Sequence, residues 1–173
     1  MNTDGLKDLL KDYAKDIRLN LGNVLGETPN GLEENARLGV FLASAYATKH
    51  PDLIKAAEEI ALPAGVAYAE AAKLAATLMA MNNVYYRFIH LNEDEEIAKL
   101  PAKLRMNGMA TPGIAKTEFE FMSLAVSAIN GCGMCMKSHR EVLQKHNVSN
   151  EAIQHAVRIA AVAAATAQGL VIN

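Results

Sequence analysis

Tryptophan is absent from this chain, and aromatic residues fill only 5% of its 173 positions. A core must therefore come from aliphatic side chains, and hydrophobic residues do reach 51%. Alanine, leucine and methionine hold most of those positions and favour helices. No segment reads as a convincing strand. Clustered basic residues are missing too, and the net charge is −2. Nucleic-acid binding needs a concentrated positive surface, so no nucleic-acid partner is expected. The Ala-rich run from Ala156 to Ile172 is interrupted by Arg158 and Gln168. A membrane span needs about 20 mostly apolar residues, so a buried helix is expected there and no membrane partner. Met1-Asn2-Thr3-Asp4-Gly5 lacks the basic-then-apolar pattern of a signal peptide. The expectation is a cytoplasmic protein with one domain over residues 1–173.

What is present reads as helix after helix. Leu6, Leu9, Leu10, Tyr13, Ile17 and Leu21 recur at spacings of three and four, which predicts one N-terminal helix with a buried face. Asn30-x-x-Glu33 resembles a capping signal for a second helix through about Lys49. Pro51 suits the first turn of a third, through about Ala61. Pro63 ends that run, and a long helix follows from about Ala64 to Asn82, with Tyr85, Tyr86 and Phe88 as its extension. Asn92 to Glu96 is acidic and solvated. Asn107-Gly108 and Pro112-Gly113 mark a loop from Arg105 to Lys116. Thr117-x-x-Glu120 predicts a capped helix through about Asn130. Another spans about Cys132 to His146, and Ser149 or Asn150 caps a last one ending at Gly169. Phe41-Leu42-Ala43-Ser44-Ala45-Tyr46-Ala47 echoes Leu124-Ala125-Val126-Ser127-Ala128-Ile129-Asn130. The echo is compatible with a duplicated helical unit whose first copy lacks cysteines.

Cysteine is scarce, and what there is of it is concentrated. Cys132 and Cys135 are the only two, and His139 follows four residues later. On a helix these positions share a face. Two thiols on adjacent turns can close a disulfide, and an imidazole one turn on can move a proton. Structural zinc wants four ligands; the spacing of His139, His146 and His155 matches no common zinc pattern, and no metal is expected. His50, His90, His146 and His155 read as structural. The helix dipole favours a thiolate at Cys132, nearer the helix start, whereas His139 lies beside Cys135. Taken alone, Glu120 reads as the capping-box glutamate and Glu118 as an exposed first-turn acid. The eight methionines read as flexible core filler. Tyr85, Tyr86 and Arg87 suit core packing with a solvated guanidinium, or the wall of a pocket.

The stretch Glu120-Phe121 through Ser127-Ala128-Ile129-Asn130-Gly131-Cys132-Gly133-Met134-Cys135, then Ser138-His139, resembles the signature of AhpD-type alkylhydroperoxidases. Leu104-Arg105-Met106-Asn107, Pro112-Gly113-Ile114 and Asn82-Asn83-Val84-Tyr85-Tyr86-Arg87-Phe88 resemble that family's segments as well. It belongs to the carboxymuconolactone-decarboxylase-like superfamily, all helical and oligomeric. The resemblance implies an all-α, AhpD-like helical bundle and a peroxidase that also reduces the peroxiredoxin AhpC. Electrons would come from dihydrolipoamide-type thiols on a dihydrolipoyl protein, with no bound cofactor, and the assembly would be a homotrimer. By the same likeness Cys135 passes through a cysteine sulfenic acid, Cys132 is proton donor and resolving thiol in a Cys132–Cys135 disulfide, and His139 and Glu120 form a proton relay. One position departs: Met134 stands where the family pattern has a histidine. Two other readings share these residues: a thiol-disulfide reductase of a partner protein with incidental peroxidase activity, and a catalytically silent helical or metal-binding module.

Overall fold

The computed structural model describes residues 1–173 except Thr28 and Asn30. Among the described residues there are nine α-helices and no strand: α1 (Thr3–Asp8), α2 (Lys15–Gly26), α3 (Glu34–Thr48), α4 (Pro51–Ile60), α5 (Val66–Asn92), α6 (Glu95–Ala98), α7 (Lys116–Ile129), α8 (Gly133–Lys145) and α9 (Asn150–Val171). The all-α architecture expected from composition is what forms. Two helices are buried on every side over most of their length and make the centre. In α3 every residue from Ala36 to Ala45 is buried, and in α7 every residue from Phe119 to Ser127. They pack on each other and on α5 and α9, while α8 lies against α7 and α5. α9 turns one stripe inward, with Ala152, Ile153, Ala156, Ile159, Ala160 and Ala163 buried at helical spacing. No helix among the described residues is long and apolar enough to cross a membrane.

The N-terminal segment is not one helix. α1 stops at Asp8, a short 3-10 turn follows over Asp12–Ala14, and α2 starts at Lys15. Leu6, Leu10 and Leu21 are buried, but Leu9 and Tyr13 are exposed. The break leaves the Leu10 carbonyl without a helical donor, and Arg18 Nη1 supplies one at 3.0 Å. Tyr13 instead donates its hydroxyl to the Gly169 carbonyl at 2.9 Å, tying this segment to α9. Gly169 does not end α9, which continues to Val171. A Cβ there would lie 2.8 Å from Leu10 Cδ2, so this glycine serves close approach. The Asn30 half of the predicted cap lies outside the described residues; Glu33 is the N-cap of α3 and makes no side-chain capping bond. α5 includes the expected extension through Tyr85, Tyr86 and Phe88 and reaches Asn92, where Glu93 turns left-handed and Asp94 caps α6. Ser149 caps α9 through Ala152 N–H at 3.1 Å.

The two halves repeat a pattern. α3, α4 and α5 form a buried helix, a short helix and a long one, as α7, α8 and α9 do. Each first helix ends at a left-handed residue, Lys49 (φ 61°) and Gly131 (φ 70°). The next residue, His50 or Cys132, caps the following helix by accepting from the backbone N–H of Leu53 or Cys135. His50 and Leu53 thus occupy the places of the two cysteines. The sequence echo pairs Phe41 with Leu124, one residue out of step with this pairing of caps. Gly39 lets α3 and α7 approach, since a Cβ there would collide with the Met122 methyl carbon. Met122 is fully buried, so added bulk must displace it within a packed core. Gly39→Val is expected to lower the unfolding free energy by about 1–3 kcal/mol, read as a lower urea midpoint.

Candidate active site

The corner between α7 and α8 is built by backbone geometry. Gly131 at φ 70° lets α7 end in a Schellman motif: its N–H bonds the Ala128 carbonyl at 3.2 Å, and the Cys132 N–H bonds the Ser127 carbonyl at 3.1 Å. Cys132 then begins α8 as its N-cap, its sulfur accepting from the Cys135 N–H at 3.3 Å. One residue thereby closes one helix and opens the next. Gly133 has no left-handed φ and is simply the first residue of α8, so only one of the two bracketing glycines makes the turn.

Cys132 and Cys135 are joined as a disulfide, with Cα atoms 5.3 Å apart. Cys132 is fully buried, whereas Cys135 is 6% exposed. Cys135 and His139 line a cavity of about 380 Å³ together with Met79, Asn82, Tyr86 and Met109; Cys132 does not reach it. His139 is 6% exposed and Glu120 5%. The His139 Nδ1 lies 2.6 Å from Glu120 Oε2, and its Nε2 lies 3.3 Å from the Met79 sulfur. A carboxylate only accepts, so it holds the imidazole proton on Nδ1 and leaves a lone pair on Nε2. Once Nε2 gains a proton, the Met79 sulfur is a weak acceptor in reach.

Glu120 is therefore not the capping glutamate. α7 begins after Ala115, and the glutamate that returns to the helix start is Glu118, whose Oε2 accepts from the Ala115 N–H at 3.3 Å. Alanine has no side-chain acceptor, so only this half of a capping box exists. Glu118 is not a free surface acid either: it accepts from the Tyr68 hydroxyl at 2.7 Å. Burial, then that hydrogen bond, pushes the Tyr68 phenol up to about 12. Starting the helix before Thr117 rotates Glu120 inward, toward α8.

A second polar set ties the corner to α5. Asn83 donates to Ser127 Oγ at 2.9 Å and accepts from Asn130 at 3.0 Å, and Arg87 donates to the Asn130 carbonyl at 2.6 Å. Arg87 is thus a clamp on the end of α7, while Tyr86 lines the cavity. Sequence reasoning left Met79 among the core filler and gave Asn82 and Asn83 only as part of the segment resembling the AhpD family, with no role for either. The available signal was Asn82-Asn83 itself, two poor helix formers inside a long helix. The other histidines stay structural: His50 caps α4, His146 bonds the Val142 carbonyl at 2.9 Å, and His155 reaches the Val24 carbonyl at 3.0 Å. His90 is exposed on α5. A larger hollow of about 450 Å³, walled by Lys73, Arg87 and Asn130, holds neither cysteine.

Known proteins carry the same arrangement of sequence. Residues 95–170 match the model of the carboxymuconolactone decarboxylase family. The alkyl hydroperoxide reductase AhpD of Beijerinckia indica is 50% identical over 171 residues, covering 98% of this chain and 94% of that protein. The chain belongs to the AhpD family. AhpD of Rhodopseudomonas palustris is 51% identical over 166 residues, 94% of this chain and 89% of that one. AhpD of Coxiella burnetii is 50% identical over 173 residues, covering 96% of each. The four residues singled out for the AhpD signature meet at the α7–α8 corner: the two sulfurs are bonded, and Glu120 bonds His139. Met134, at the departing position, sits in the first turn of α8 on the cavity rim.

The two glycines of this AhpD corner separate cleanly. No neighbouring atom lies within 4 Å of a Cβ built at either, so only backbone conformation distinguishes them. Gly131→Ala is expected to lower stability by about 1–2 kcal/mol, the cost of a side chain in the left-handed region. Gly133→Ala is expected to leave stability unchanged or raise it, with thermal unfolding as the measurement.

Proposed function

We propose that this protein is a thiol peroxidase that reduces alkyl hydroperoxides through the Cys132–Cys135 pair. One observation carries the reading. Of the two bonded sulfurs only Cys135 lines this cavity, and His139, held from behind by the buried Glu120, lines it too. Accessibility favours Cys135 as the attacking thiol and outweighs the dipole argument for Cys132. The dipole has its own use, because an N-cap thiolate at Cys132 is the nucleophile that the second step requires.

In the first step His139 Nε2 takes the Cys135 proton. The thiolate attacks the terminal oxygen of R–O–O–H, the O–O bond breaks, and Cys135 becomes a sulfenic acid. The alkoxide takes the proton back from the relay and leaves as alcohol. In the second step Cys132 attacks the Cys135 sulfur, giving the disulfide and water. Two thiols of a dihydrolipoyl group then reduce the disulfide by exchange and become a disulfide themselves. With Met134 in place of a histidine, the relay consists of Glu120, His139 and water.

The peroxiredoxin AhpC fits as a second electron acceptor, and a dihydrolipoyl protein as donor, in a cytoplasmic homotrimer without a bound cofactor. Val84, Phe88 and Leu91 form an exposed stripe on α5 that supports contact with another copy. A metal-holding role has little support. Both sulfurs are committed to each other and the His139 ring to Glu120 and Met79, and no group of three His, Cys, Asp or Glu among the described residues is arranged to hold an ion.

Peroxide consumption with a dihydrolipoyl donor is expected in the wild type and abolished by Cys135→Ser or Cys132→Ser. A sulfenic acid is expected to be trapped only in Cys132→Ser, by dimedone labelling and mass spectrometry. Trapping it at Cys132 in Cys135→Ser reverses the roles. No peroxide turnover with full reduction of a peroxiredoxin disulfide selects the reductase reading.

A further inference from the structure

Asn82, Tyr86 and Ser138 line the cavity without a part in the relay, and of these Asn82 has a buried polar atom without a partner. Asn82, on α5, is 4% exposed, and its Oδ1 has no hydrogen-bond partner. Its Nδ2 lies 4.0 Å from the Met109 sulfur. A thioether accepts weakly and never donates, so facing the NH2 to Met109 is the favourable orientation of the amide, and the oxygen is left over. A buried acceptor without a donor is costly, by an amount comparable to a lost hydrogen bond. The methionines around the cavity cannot supply that donor. Being unbranched and flexible, they can part to admit a molecule that does.

A hydroperoxide brings a single O–H group on an otherwise apolar body, which matches one unpaired acceptor in a wall of methionines, Tyr86 and Ser138. We propose that Asn82 positions the substrate by accepting the O–H of an organic hydroperoxide, while Met79, Met109 and Tyr86 take its apolar group. The inference rests on the peroxidase reading of the same site. With the terminal O–H held by Asn82 Oδ1, the terminal oxygen is oriented toward the Cys135 sulfur. The S–O bond forms as the O–O bond breaks, that oxygen keeps its hydrogen in the sulfenic acid, and the alcohol leaves with a proton from His139. Asn82 gains and loses no proton.

The test compares the pre-reduced wild type with Asn82→Leu, which keeps volume and removes the acceptor, and Asn82→Ala, which removes it without adding bulk. Three rates are read on each: oxidation by cumene hydroperoxide, alkylation of the reduced protein by iodoacetamide, and reduction of the disulfide by dihydrolipoamide. Loss of one hydrogen bond to the substrate is expected to slow the first about tenfold to hundredfold in both variants. The other two rates involve no hydroperoxide O–H and are expected to stay within about twofold of the wild type, a change of about 0.4 kcal/mol. An unchanged hydroperoxide rate overturns the inference, as does a parallel fall in all three rates, which marks a structural role. If Asn82→Leu does not fold, Asn82→Ala decides. A wild type that no hydroperoxide oxidises overturns the peroxidase reading and this inference with it, whereas a reactive wild type matched by its variants overturns the inference alone.

Discussion

A carboxyl group and an imidazole meet at 2.6 Å inside this protein, and each is nearly shielded from water. Neither tolerates that burial alone, because an unpaired polar group in a low-dielectric interior carries its full desolvation cost. Glu120 and His139 therefore lock α7 to α8 at one relative rotation. That rotation sets where the imidazole stands one turn beyond Cys135. α5 completes the arrangement from a third side, with Met79 at the free face of the ring and Asn83 and Arg87 holding the end of α7. Two consecutive helices and one distant in sequence converge on one side chain, and the chemistry proposed for the thiols depends on that convergence.

The backbone of the corner divides the labour between the sulfurs. Cys132 spends its N–H on finishing α7 and its sulfur on starting α8, so it is held inside the turn and is fully buried. Cys135, three residues on, lies on the cavity side. A residue in the Cys132 position feels the helix terminus most strongly, and a residue in the Cys135 position meets solutes first. Two steps that need different properties thus find them three residues apart. The first half of the chain has the same corner, with Lys49 turning and His50 capping. It carries leucine where the second sulfur would be, so the shared geometry is a property of the helical unit and the sulfur pair belongs to one copy.

Local features were readable and distant pairings were not. Most of the helices and the placing of Cys135 and His139 on one cavity wall follow from spacing within about ten residues, whereas Cys132, the N-cap before α8, does not share that wall. The relay role of Glu120 came only from likeness to AhpD proteins; its spacing from Thr117 pointed to a cap. That pattern misled because α7 starts two residues earlier, after Ala115, and a cap motif carries no information on where a helix starts when the preceding residue has no side-chain oxygen. The N-terminal periodicity failed for a related reason. Leu9 and Tyr13 fit a helical stripe, but the Tyr13 hydroxyl finds its acceptor at Gly169, far along the chain, and that contact rewards a break. Methionine reads as filler in any sequence, so Met79 beside His139 left no trace. Asn82 and Asn83 did leave one, since adjacent asparagines in a helix interior need a tertiary reason.

Titration of the fully reduced protein with cumene hydroperoxide, with free thiols counted after each addition, tests the central claim most directly. The account requires two thiols lost for each hydroperoxide consumed, one alcohol released, and an endpoint in which Cys132 and Cys135 are joined within one chain. Thiols that persist in excess hydroperoxide, or an endpoint with Cys135 oxidised and Cys132 still free, would contradict it.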